Sequence, residues 1–151
     1  MKARRVARQI ALDILYEAEI REILPIDAFE MRESSGWANP SDADAAEPDV
    51  AEPRSDSVEY ARILVAGVQE HQATLDGLIV KYADHWTIDR MPVIDRNLVR
   101  LALYELLCRD DVPVAVAINE VVELAKSLST DDSGRFINGL LGRIVEKEGV
   151  A

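Results

Sequence analysis

The sequence AINEVVELAKSLSTDDSGRFINGLLGRI, residues 117–144, contains two helical patterns separated by a polar break. On both sides of the break, apolar residues recur at three- and four-residue steps, which is the spacing of one face of an α-helix. The break itself, Ser-Thr-Asp-Asp at 129–132, is rich in N-capping residues, and its acids suit the positive end of a helix dipole. The stretch therefore predicts one helix that ends near Leu128 and another that begins at the capping cluster.

The second of these helices has an aromatic residue beside its apolar face. The face itself is formed by Ile137, Leu140, Leu141 and Ile144. Phe136 lies toward the edge of that face, next to Arg135 and close to the helix start. A half-exposed aromatic ring beside a cation is a candidate binding residue.

Helical periodicity extends over most of the chain. A first amphipathic helix is predicted from Arg4 to Ile23, and residues 57–86 fit either two helices or one bent helix. Pro92 precedes a leucine-rich helix, which should be buried and central, and Pro113 marks the break before the next helix. Because no alternating pattern is flanked by hairpin signals, we expect an all-α fold, a compact bundle of about six to seven helices.

The composition favours a single domain over residues 1–151, since 48% of the residues are hydrophobic. The one cysteine, Cys108, excludes an internal disulfide, and within a leucine-rich helix we expect it to be an inert, buried thiol. No apolar run approaches the length needed to span a bilayer, and the N-terminus lacks the apolar block of a signal peptide. These features predict a cytoplasmic protein without a membrane partner.

The net charge of −11 is concentrated in one segment. Ten acidic residues between Asp27 and Glu59 face only Arg32 and Arg54, so this segment carries −8 and the rest of the chain only −3. Residues 33–57 contain three prolines and few apolar side chains, which predicts a flexible acidic loop. Trp37 within it is expected either to dock on the body of the protein or to make a local contact.

Motifs for catalysis or for metal binding are absent from the sequence. His71 and His85 stand fourteen residues apart without a metal-binding motif, and no glycine-rich phosphate-binding motif is present. We therefore expect no enzyme activity, no metal site and no cofactor.

The N-terminus carries the clearest binding signal. Lys2, Arg4, Arg5 and Arg8 precede the first acidic residue, and Tyr16 lies two turns beyond Arg8, on roughly the same side of the helix. Cations that bind phosphates, next to an aromatic ring that stacks on a base, are typical of single-stranded RNA binding. The alternative is a solvated basic helix end with no ligand.

Three segments together resemble the NusB family of transcription antitermination factors. They are RRVARQIALDILYEAE at 4–19, LVRLALYELLCRDDVPVAVAINEVVELAKSLSTDD at 98–132 and SGRFINGLLGRI at 133–144. The order and spacing of ALYEL, DVPxxVAINExVELAK and FxNGxL match the family pattern, and the resemblance covers the first helix and residues 58–147. The acidic loop departs from the pattern because it is longer than the family leads us to expect.

The resemblance implies a protein that binds the boxA element of ribosomal RNA leader transcripts together with NusE, a protein of the small ribosomal subunit. This complex would join the RNA polymerase elongation complex with other Nus factors and suppress premature termination. The RNA-binding residues implied are Lys2, Arg4, Arg5, Arg8, Tyr16, Asp132, Ser133 and Phe136. NusE is expected to contact the central helix between Leu101 and Leu107, with Glu105 as the candidate residue.

Two other functions fit parts of the sequence. One is a helical scaffold that binds only proteins, and the other is an RNA-recruiting domain that acts with a ribosomal RNA methyltransferase. The length argues against a fused methyltransferase, because nothing in the chain supplies a sheet with a glycine-rich cofactor turn. A homodimer that covers Tyr16 and Phe136 is also possible on the sequence.

Overall fold

The computed structural model describes residues 2–37, 55–84 and 86–150, and within these ranges every regular element is a helix. This confirms the all-α prediction. The described elements are α1 (Lys2–Arg21), α2 (Pro25–Ser35), α3 (Ser55–Tyr82), a short 3-10 helix (Ile88–Arg90), α4 (Val93–Cys108), α5 (Val114–Leu128) and α6 (Asp131–Glu148).

The chain divides into two compact units, Met1–Ala66 and Gly67–Ala151, and the division falls within α3. In the first unit, α1 contacts α2. Helix α1 ends where Glu22 adopts a left-handed backbone conformation with φ 56°, and the Ile23 amide then donates to the Ala18 carbonyl at 3.0 Å. The sharp turn allows α2 to begin at Pro25, a residue that is favoured in a first helical turn.

The interior of the first unit includes Phe29 of α2. Its ring is fully buried, and the Trp37 ring lies edge-on against it with the ring centroids 5.2 Å apart. The guanidinium of Arg62 lies 4.7 Å from the centroid of the Phe29 ring and pairs with Glu33 at 3.0 Å. Trp37 thus makes a contact with a residue only eight positions away, which is the local alternative that the sequence left open.

In the second unit, α4, α5 and α6 contact one another. The side chains from Leu98 to Glu105 are all buried, which confirms that α4 is a buried helix. The predicted apolar face of α6 is buried as well, from Ile137 to Ile144. Arg100 is also buried, and its guanidinium binds the Asp76 carboxylate of α3 through two contacts of 2.7 and 3.1 Å.

Of the two alternatives left open for residues 57–86, the structure has a single helix, α3. Three expectations require correction. Helix α2 was not predicted, because its single buried turn, Ala28 and Phe29, leaves little periodic signal. Both ends of the predicted loop 33–57 are helical, since α2 continues to Ser35 and α3 begins at Ser55; residues 38–54 lie outside the described residues, as does His85. Cys108 was expected to be buried, but it is exposed because α4 ends there.

Candidate nucleic-acid interface

The predicted cationic residues in the first turns of α1 differ in their solvent exposure. Arg5 is exposed, Arg4 is half-buried, and Arg8 is only 3% exposed. The Arg4 guanidinium lies 4.5 Å from the centroid of the Tyr60 ring, a cation-π contact within the first unit. The side chain of Lys2 lies outside the described residues, although its backbone begins α1. Of the three arginines, Arg5 therefore has the most surface to offer a phosphate.

Tyr16 shares a face of α1 with Arg5 rather than with Arg8. Eleven residues at about 100° each return to within about 20° of the same direction, so Arg5 and Tyr16 project from nearly the same side of the helix. The exposure agrees with this geometry, since Tyr16 is 43% exposed and Arg5 is exposed, whereas Arg8 points into the protein. The expectation that Arg8 and Tyr16 form one exposed site is wrong.

In the second unit, the start of α6 is built around Ser133. The Thr130 hydroxyl caps the helix by accepting the Ser133 amide at 3.0 Å, which confirms the predicted helix start. The Ser133 hydroxyl donates to Oδ2 of Asp95 at 2.7 Å and also contacts the hydroxyls of Thr130 and Ser129 at 3.1 and 3.0 Å. Ser133 is buried, so the hydroxyl is already engaged inside the protein.

Asp132 and Phe136 lie on the outer side of the same helix start. Asp132 is exposed, and its Oδ1 accepts from the Arg135 guanidinium at 2.6 Å. Phe136 is half-buried, and its ring centroid lies 5.9 Å from that of Trp86, with the rings tilted by 50°. Trp86 is itself 49% exposed, so the two rings form an aromatic surface at the start of α6.

Sequence reasoning missed two residues of this region, Trp86 and Asp95. Trp86 is the last residue of the segment that the periodicity predicted to be helical, and nothing in that pattern pairs it with Phe136. The sequence did indicate that Asp95 is buried. It precedes Leu98 and Ala102 by three and seven residues, so it lies on the buried face of α4. A carboxylate on an apolar face needs a hydrogen-bond partner, which Ser133 supplies.

Glu105 lies at a position that limits its predicted role. Its side chain is fully buried, as are Leu101 and Leu103 on the same helix, and the exposed part of the segment is its end, at Leu107. A contact between Glu105 and NusE stays a prediction, and it requires that the side chain become accessible. Because the side chains from Leu98 to Glu105 are buried, the part of the expected NusE-contacting segment that is exposed is its end at Leu107.

Known proteins match nearly the whole length of the chain. The model of the NusB family matches residues 5–146. The chain belongs to the NusB family. The transcription antitermination protein NusB of Salinispora arenicola is 47% identical over 146 residues, covering 97% of each chain. That of Thermobifida fusca is 43% identical over 146 residues, covering 97% of this chain and 91% of the relative.

Solved structures of NusB proteins have the same fold. T. maritima NusB superposes with a TM-score of 0.77 at 32% identity, covering 95% of this chain and 91% of the other. A NusB chain crystallised with NusE and double-stranded RNA superposes with a TM-score of 0.76 at 28% identity, covering 97% of this chain and 98% of the other. Within the described ranges, no helix combines the length and the apolar character needed to cross a membrane.

Proposed function

We propose that this chain is a non-enzymatic antitermination factor that binds single-stranded boxA RNA of ribosomal RNA leader transcripts together with NusE. The complex joins RNA polymerase and other Nus factors and suppresses premature termination. The observation that carries the RNA-binding part is the common exposed face of Arg5 and Tyr16 on α1, in a chain of the NusB family. A guanidinium binds phosphate, and a neighbouring ring stacks on a base.

The charge distribution supports cooperation with a basic partner. The chain carries a net charge of −11, so its body repels RNA at long range, and Arg5 alone offers little to offset this repulsion. A basic ribosomal protein supplies further phosphate contacts and screens the acidic surface. Tight RNA binding should therefore require NusE.

The second unit supplies further RNA contacts in this proposal. Phe136 and Trp86 offer exposed ring surface for stacking, and Asp132 lies at the edge of that surface. Ser133 and Arg8 are both buried, so a contact of either with RNA requires that the side chain become accessible; Ser133 also orients Asp95 through its hydrogen bond. A homodimer that covers Tyr16 stays a prediction, which sedimentation with and without RNA tests.

The proposal is tested by the affinity for a fluorescent boxA RNA, with and without NusE, at two salt concentrations. Arg5→Ala should weaken binding and reduce the slope of log affinity against log salt by about 0.7, the value for one phosphate contact on a single strand. Arg21→Ala is the matched control, because Arg21 is an exposed arginine at the other end of α1 whose pair with Glu17 is a surface contact. Arg8 is unsuitable, since removal of a buried side chain disturbs the fold.

The outcomes separate the proposal from a protein-only scaffold. We expect NusE-dependent, salt-sensitive binding that Arg5→Ala weakens and Arg21→Ala leaves unchanged. Binding of NusE without any binding of RNA would favour the scaffold. RNA binding that is indifferent to Arg5 would move the RNA surface away from α1.

A further inference from the structure

A cavity of about 160 Å³ lies between the start of α4 and the start of α6, within the second unit. Its walls are largely apolar and include Trp86, Met91, Pro92 and Phe136, and Asp95 and Ser133 supply polar groups. Apolar walls with a few fixed polar groups are typical of sites that bind small organic molecules. Asp132 also lines the cavity, so the cavity opens beside the aromatic surface described above.

The carboxylate of Asp95 is incompletely paired. The side chain is 3% exposed, and its Oδ2 accepts from Ser133, whereas its Oδ1 is buried without a hydrogen-bond partner among the described residues. Buried polar atoms are almost always hydrogen-bonded, so an unpaired carboxylate oxygen on a side chain that lines a cavity leaves a place for a further donor, which a small rotation of the carboxylate would make accessible. Because Ser133 already donates its hydroxyl hydrogen to Oδ2, it has none left for Oδ1.

We propose that this cavity holds one unstacked nucleobase that carries an exocyclic amino group and donates it to Oδ1 of Asp95. The base stacks on the Trp86 and Phe136 rings. This inference rests on the RNA binding proposed above and adds a preference among bases. Cytosine and adenine present an amino group as a donor, whereas uracil presents a carbonyl oxygen at the same position, which a carboxylate repels.

The surface next to the two rings fits the passage of an RNA strand. A second groove, also lined by Trp86 and Phe136, contains the guanidinium groups of Arg135 and Arg143. Arg135 pairs with Asp132 at 2.6 Å and Arg143 with Asp84 at 2.7 Å, and all four side chains are exposed, Arg143 the least of them. Exposed ion pairs contribute little and exchange partners readily, so these guanidinium groups can bind phosphates on either side of the stacked base.

The test compares two RNA hexamers, oligo(C) and oligo(U), because cytosine and uracil have nearly the same size and differ in the donor at position 4. Affinities are measured by fluorescence anisotropy of labelled hexamers with the chain saturated by NusE. We expect the unmodified chain to bind oligo(C) about tenfold to a hundredfold more tightly than oligo(U), the effect of one charge-assisted hydrogen bond. Asp95→Asn should reduce this ratio to about one or below, because its amide group can offer a donor to uracil.

Two further variants keep the test informative. Asp110→Asn makes the same charge change at an exposed position after α4 and should retain the preference. Trp86→Ala changes a half-exposed ring and should weaken both hexamers about fivefold or more by loss of stacking, while a preference for oligo(C) persists. Circular dichroism melting of each variant identifies any that fail to fold.

Several results would overturn the inference. Equal affinities of the unmodified chain for the two hexamers would do so, as would a preference that survives Asp95→Asn. Weaker NusE binding by Asp95→Asn without RNA, at an unchanged base preference, would assign the cavity to the protein partner. If boxA RNA binds but the base preference does not depend on Asp95, only this inference fails. If neither boxA RNA nor the hexamers bind, the proposed function fails as well.

Discussion

Replacement of Gly67 by alanine should destabilise the protein, because Gly67 of α3 lies directly against the ring of Tyr104 of α4. A β-carbon at Gly67 would lie 2.1 Å from Cε1 and 2.2 Å from Cζ of Tyr104, far inside the roughly 3.5 Å of a carbon–carbon contact. The Tyr104 ring is buried and has little room to move. Overpacking of this kind costs up to about 3 kcal/mol, and alanine gains about 1 kcal/mol of helix propensity, so the net loss is about 2 kcal/mol.

Gly77 provides the matched control for this prediction. It is an exposed glycine of the same helix, and no atom lies within 4 Å of the position its β-carbon would occupy. Gly77→Ala should therefore stabilise the protein by about 1 kcal/mol, through helix propensity alone. Urea unfolding followed by circular dichroism measures both variants, with an expected difference of about 3 kcal/mol between them. Equal stability of the two would refute the close packing of α3 on α4.

Three further predictions concern charges in the second unit. Asp76→Ala should lower the free energy of unfolding by about 3 kcal/mol, since it leaves the buried Arg100 guanidinium without its carboxylate; a urea midpoint that does not move would contradict this. The Tyr82 hydroxyl donates to Glu148 and holds the pKa of that carboxyl below its ordinary value, so this contribution exists at neutral pH and is lost as the pH falls through the lowered pKa. Tyr82→Phe should thus be less stable than the unmodified chain at pH 7, and the difference should shrink as the pH is lowered until Glu148 is protonated in the folded protein; a difference that does not change with pH would exclude the bond. Although Cys108 is exposed as a residue, partial desolvation of its thiol by neighbouring atoms, and to a smaller extent the charge of Glu70, raises the pKa of the thiol, so iodoacetamide should react with it more slowly at pH 7.5 than with free cysteine, whereas equal rates would show an unperturbed thiol.

Most of the helices follow directly from local patterns in the sequence. The cap at Thr130 and the apolar face from Ile137 to Ile144 were both expected, because capping chemistry and helical periodicity depend on neighbouring residues alone. In α1, by contrast, the small residues Ala7 and Ala11 are fully buried, while the larger Val6 is 40% exposed. Hydrophobicity alone did not identify Ala7 and Ala11 as buried, because the side of α1 that faces the interior is set by tertiary packing.

The candidate site was only partly predictable, because some of its features depend on tertiary packing and not on local patterns. Arg5 and Tyr16 are exposed, and their spacing along α1 places them together without tertiary information. The burial of Arg8 depends on how α1 packs, which no local pattern reports. The pairing of Trp86 with Phe136 joins residues fifty positions apart, so it too required the tertiary structure.

Antitermination itself is tested most directly by transcription in vitro through a terminator that lies downstream of boxA, with NusE and the other Nus factors present. We predict that the unmodified chain and Arg21→Ala increase read-through, that the double variant Arg5→Ala, Tyr16→Ala does not, and that a template without boxA shows no effect. Read-through that is equally high with the double variant, or equally high without boxA, would contradict the proposal that this protein acts by binding that RNA through α1.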